Sequence, residues 1–160
     1  MRRRSFLASA AATSLLPNAS WAADMVSGRF VGNGKAAKLA FISAYVTEGM
    51  SGKAAVEVVM TEKDHASSKR PGWDADFGKF GSALTIKLHR PDGGLFSCQV
   101  AHQDLKRKPF SVIGTIKALD VSFAGDRVKA RFSSNGPDKF FDDTYEVDLQ
   151  VDVAIRPKLA

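Results

Sequence analysis

The residues of this chain able to do chemistry are three histidines, one cysteine, two pairs of neighbouring carboxylates and two basic loops. Their spacing limits what that chemistry can be. His65, His89 and His102 stand too far apart in sequence to form a local ligand pair. Cys98 and His102 share one face of a strand, but the intervening extended chain separates them by roughly 13 Å. Zinc needs its ligands at ~2.0–2.3 Å, so these two cannot share an ion. The spacing therefore predicts no metal centre and no cofactor.

Nucleophilic chemistry finds equally little support. The glycine-flanked serine elbow of hydrolases is absent, and Ser67-Ser68 has no recognisable partner. Cys98 lies between Phe96 and Val100 on the core-facing parity of a strand, where a thiol acts as a small hydrophobe. Asp74 and Asp76 fall at a predicted helix start, where carboxylates favour the dipole. Asp142 and Asp143 precede the last strand and read as solvated loop acids, without the spacing of a calcium loop. Gly32-Asn33-Gly34-Lys35 lacks the ending of a phosphate loop and no helix follows, so a turn between strands is the expectation.

The basic loops remain. Lys63, His65, Lys69 and Arg70 share a long irregular segment with Trp73, and Lys106-Arg107-Lys108-Pro109 forms a second cluster. Basic side chains beside an aromatic can grip an anionic glycan, a phospholipid headgroup or an acidic protein. These eight residues, Lys63, His65, Lys69, Arg70, Trp73, Lys106, Arg107 and Lys108, are the candidate partner-binding set. The competing reading is a solvated loop whose lysines and arginines only aid solubility.

The elements that position them read as strands. Tyr145, Val147, Leu149, Val151, Val153 and Ile155 alternate with Glu146, Asp148, Gln150, Asp152 and Ala154, a period of two that demands a half-buried strand. Arg127–Ser133 alternates as well, and its basic face is expected to meet Glu146 and Asp148. Ala124-Gly125-Asp126 turns between it and Ser111–Phe123. Leu84–Leu88 and Phe96–Val100 flank Arg90-Pro91-Asp92-Gly93-Gly94, the strongest turn signal present. Further strands are expected at Val26–Val31, Lys38–Thr47 and Ala54–Thr61. Glu62–Ser82 breaks the rhythm, with a helical turn expected over Asp74–Phe80, capped by Asp74 and ended by Gly81. The expected fold is all-β, an antiparallel sandwich or flattened barrel of about eight strands with one short helical turn.

Residues 1–22 read as an export signal. Arg2-Arg3-Arg4 forms the charged region, Phe6–Leu16 the apolar stretch, and Ser20-Trp21-Ala22 a cleavage site. Arg3-Arg4-Ser5-Phe6-Leu7 resembles the twin-arginine pattern, against which Arg2 and the very short charged region count. Half of the formal charge of +6 belongs to Arg2, Arg3 and Arg4, leaving too weak a basic balance for nucleic-acid binding. The apolar stretch is too short for a membrane span. Residues 23–160 are expected to form one β-rich domain in the periplasm or outside the cell.

Val26–Lys35, Thr61-Glu62-Lys63-Asp64, Gly81-Ser82-Ala83-Leu84 and Cys98–His102 together resemble exported bacterial β-domains to which no activity is attached. The resemblance spans nearly all of residues 23–160 and implies a secreted β-domain without implying a reaction. Two functions follow from the residues. One is a non-catalytic binding or accessory protein contacting a protein, a glycan or an anionic envelope component. The other is a small enzyme or ligand carrier with a site inside the barrel, built from residues such as His102 and Tyr45.

Overall fold

The computed structural model describes residues 22–159; all but the last residue of the export-signal reading lies outside the described residues. Eleven strands and one short helix follow in chain order: β1 Met25–Gly32, β2 Lys35–Ala37, β3 Phe41–Glu48, β4 Ala54–Thr61, α1 Pro71–Asp76, β5 Ala83–His89, β6 Leu95–Ala101, β7 Phe110–Ser111, β8 Lys117–Ala124, β9 Arg127–Ser133, β10 Asp138–Phe140 and β11 Asp143–Arg156. A 3₁₀ turn occupies Met50–Gly52. The fold is all-β in one large mixed sheet, and three of the strands span only two or three residues.

The 14-residue β11 is the spine. Its period-two pattern buries Tyr145, Val147, Leu149, Val151, Val153 and Ile155, all in the core. Because both of its edges are free to pair, β1 runs antiparallel along one and β9 along the other. Its last residues, Ile155 and Arg156, then lie parallel to Ala44 and Tyr45 of β3. That junction joins β1, β2, β8, β9 and β10 to a second wing, the antiparallel run β3–β4–β5–β6–β7. It is also the departure from the all-antiparallel expectation.

Charge follows register. Arg131 grips Asp148 through two contacts of 2.8 Å. Arg127 and Lys129 reach Asp152 instead, at 2.8 and 3.2 Å. Glu146 turns the other way, to Arg29 of β1 at 3.1 Å. The basic face of β9 thus meets Asp148 as expected, with Asp152 in place of Glu146. At Gly28 the β1 backbone has φ +124°, and a side chain there would collide with the Asp148 carbonyl of β11.

The second wing is covered on both faces. Val56, Val58, Met60, Leu84, Ile86, Leu88, Cys98 and Val100 enter the main core with the β11 side chains. Fully burying such a side chain contributes about 1.5–3 kcal/mol. On the opposite face, Val59, Ala83 and Ala101 form a smaller cluster with Ala75 and Phe80. Residues 62–82 are therefore a cover folded against the outside of β4–β6, which explains why their pattern is neither strand nor long helix. The helix starts earlier than expected: Pro71 is its first residue, Arg70 its cap position, and Asp74 sits within its first turn. Proline suits that position because its missing N–H would have no helical partner.

Candidate functional site

Between α1 and the outer face of β3–β6 lies a cleft of about 380 Å³. Its floor follows from strand alternation. Residues that do not face the main core face α1, so Tyr45, Glu57, Thr85, Lys87, Ser97 and Gln99 line it. Glu57 and Lys87 pair across adjacent strands at 3.4 Å. The roof comes from the cover segment, with Lys69, Arg70, Trp73 and Asp76, and Lys158 closes one side. Gly72 lets α1 sit this low, because a methyl group there would stand 2.7 Å from the Glu57 carboxylate.

Two polar atoms beside this cleft, Oδ1 of Asp76 and Oγ1 of Thr85, are buried, and among the described residues neither makes a well-formed hydrogen bond. They are neighbours, and Thr85 draws the Asp76 acidity back towards normal. Burial pushes the Asp76 carboxyl up to about 6, and the nearby Glu57 charge adds to the rise. Trp73 of the roof is 58% exposed and Phe77, outside the cleft, 63%, with ring centroids 4.7 Å apart and planes tilted by 43°. The Arg70 guanidinium lies 5.8 Å from the Trp73 ring centre. Apolar rings left in water beside unpaired polar atoms are what a binding site presents before its ligand arrives.

The candidate set divides on this geometry. Lys69, Arg70 and Trp73 share the cleft. Lys108 lines a second hollow on the far side of α1, beside Asp76 and Phe77, where its ammonium is held by the Gln103 carbonyl. Lys63 is exposed outside both. Lys106 and Arg107 are exposed, and the Arg107 guanidinium rests 4.3 Å from the Phe141 ring centre.

His65 is no contact residue, for it is 2% exposed. Its surroundings fix its protons. Thr61 donates its hydroxyl hydrogen to the Lys63 carbonyl at 2.7 Å. The Thr61 oxygen must therefore accept from His65 Nδ1–H, at 2.6 Å. Nε2 is left to accept the Ser43 hydroxyl at 2.7 Å. Burial pushes the His65 pKa down, so a neutral imidazole pins the cover to β3 and β4.

Asp143 is no solvated loop acid either. It is 1% exposed and accepts the Asn33 amide at 2.8 Å and the backbone N–H groups of Lys106 and Arg107 at 3.0 Å. Burial alone would raise its pKa, but these three donors hold it below the carboxylate range. The second basic loop is thus shaped by a carboxylate, and Gly32-Asn33-Gly34 is the turn that supplies part of the cradle. Asn33 and Gly34 both take positive φ there, as a two-residue hairpin turn requires.

The remaining chemistry-bearing residues are dispersed. Cys98 is fully buried, and burial pushes its thiol up to about 12. His102 is buried edge-on against Phe30, accepts the Asp104 N–H on Nδ1 at 3.1 Å, and has no part in the cleft that Tyr45 lines. Among the described residues no three His, Cys, Asp or Glu side chains gather as a metal site, and no helix is long and apolar enough to cross a membrane. Sequence reading missed Asp76, Thr85, Glu57 and Gln99 as site residues. The one available signal was the shared outward parity of Glu57, Thr85 and Gln99 on strands whose other face is core; Asp76, at the end of α1, offered none. No family model, curated protein or solved structure matches this chain.

Proposed function

We propose that this protein is an exported, non-catalytic binding or accessory module whose partner docks at the cleft under α1. The observation carrying the reading is the cleft itself, lined by polar side chains and overhung by the exposed Trp73 ring with Lys69 and Arg70 at its rim. A carrier with an internal site would need an open interior, whereas the core between the wings is packed with side chains from both. That shared packing supports a sandwich-like arrangement of the wings over an open barrel. Export rests on the sequence pattern of residues 1–22, and the periplasm or cell exterior is the corresponding location.

The test is capture from periplasmic extract by the wild-type chain and by the triple variant Lys69→Ala, Arg70→Ala, Trp73→Ala. Loss of bound components from the variant supports the reading, and equal capture by both removes the cleft from it. Export is tested by replacing Arg3 and Arg4 with lysine, which should retain precursor in the cytoplasm. Normal levels of periplasmic protein from that variant would assign the general secretory route.

A further inference from the structure

We propose that the ligand of the cleft is an acidic saccharide, with a sugar face stacked on Trp73, a ring hydroxyl donating to the Asp76 carboxylate and the sugar carboxylate held by Arg70. This rests on the reading of the cleft as a binding site and adds its ligand class. Four features converge on it. The roof offers an apolar ring face, since Trp73 is exposed, and a Trp ring matches the C–H face of a sugar while tolerating water at its edge. Polar groups line the rest. The ionised Asp76 carboxylate of the roof can only accept, and Ser97 and Gln99 of the floor can donate and accept. That mixture suits hydroxyl groups, which themselves donate and accept.

At the centre of the floor β4 and β5 are paired along both edges, so recognition there falls to side chains rather than to the backbone. The rim sets the charge of the ligand. Glu57 and Lys87 neutralise one another, while Lys69, Arg70 and Lys158 stand around the mouth with no carboxylate ion partner within 4 Å among the described residues. A guanidinium at that rim binds a carboxylate in a forked geometry. The volume of about 380 Å³ lies in the range of small-ligand sites.

The experiment titrates the full chain with tetragalacturonate and, as a neutral control, with maltotetraose, by calorimetry and by tryptophan fluorescence. Wild type should bind the acidic probe and bind the neutral one at least about tenfold more weakly. Trp73→Ala and Asp76→Asn should each weaken binding of tetragalacturonate about tenfold or more. Arg70→Ala should remove most of the preference for the acidic probe. Trp73 is exposed and Asp76→Asn removes a buried charge, so both variants should keep the wild-type circular-dichroism spectrum. Absence of acidic-probe binding, or equal binding by wild type, Trp73→Ala and Asp76→Asn, overturns the saccharide. If protein components are then still captured from extract in a Trp73-dependent manner, the binding reading stands and only its ligand class has failed.

Discussion

Along the solvent face of β11, Glu146, Asp148 and Asp152 each meet a cation from a neighbouring strand. Across the outer face of β4–β6 similar residue types are treated otherwise. Glu57 and Lys87 pair, but Asp76 and Thr85 each keep a buried polar atom without a bond. Exposed pairs are individually weak, typically about 0–1 kcal/mol, whereas one unsatisfied buried polar atom costs about 1–3 kcal/mol. The molecule thus spends few unmet polar atoms, and two of the four among its described side chains lie in one cleft. The contrast separates surface built for register and solubility from surface that retains buried polar capacity unmet.

Asp143 gives the strongest test of the satisfied side. Removing its carboxylate strands the Lys106 and Arg107 N–H groups together and leaves the Asn33 amide with only the Asp104 carbonyl. Asp143→Ala should cost about 2–4 kcal/mol in chemical denaturation and speed amide exchange across residues 104–109. A cost below about 1 kcal/mol would mean that water replaces the carboxylate there, and that satisfaction at the head of β11 matters less than argued.

Acid should act on the buried histidines and on Asp76 with opposite sign. Burial holds the pKa values of His65 and His102 below the ordinary 6.5, although Asp64 near the first and Asp104 near the second oppose the shift. Both are neutral when folded, so the unfolded chain takes up more protons as pH falls below 6.5, and stability declines from there. Asp76 runs the other way. Its folded value is raised from 3.8 to about 6, so its contribution is full below pH 3.8 and lost as pH rises through about 6. Denaturant midpoints measured against pH in an Asp76→Asn background should therefore fall more steeply between about pH 6 and 5 than in wild type. Introducing His65→Gln as well should flatten the slope. An unchanged slope would show that His65 titrates normally.

At neutral pH, Asp76→Asn should raise stability by about 1 kcal/mol, a figure reduced for the partial exposure of the carboxyl. The gain should vanish below pH 3.8, where the wild-type acid is protonated as well. A loss of stability at pH 7.5 would show that the Asp76 charge is well satisfied, and the contrast between the two surfaces would collapse.

What could be read from the sequence follows the same divide. Ala54–Thr61 and Arg127–Ser133 coincide with β4 and β9 because alternation is a local consequence of having one core face. The parallel contact of Ile155 and Arg156 with β3 was invisible, since it depends on where a 14-residue strand runs out of β1 and β9 to pair with. Lys69, Arg70 and Trp73 were legible as a basic loop with an aromatic. His65 in the same loop was misjudged because only the fold supplies Ser43 and Thr61 to bury it. Asp143 looked like its exposed neighbour Asp142 for the same reason: its donors come from residues 33, 106 and 107. Thr85 and Gln99 each look like an ordinary outward polar residue, and only the cover laid over them turns that face into a cleft.

The smallest expected effect sharpens the comparison from the other side. Arg131 and Asp148 form the best-aligned ion pair of the β9–β11 ladder, yet both side chains are 42% exposed. Water and salt compete for each, and two mobile side chains must be ordered to hold them together. Arg131→Ala should move the denaturation midpoint by no more than its experimental scatter, and raising salt to ~1 M should leave wild type equally unmoved. A clear loss on substitution that salt reproduces would mean that the ladder is held by its charges rather than by the buried face of Val147, Leu149 and Val151. The paired surface would then carry stability of its own, and the contrast with the unmet polar atoms under α1 would weaken.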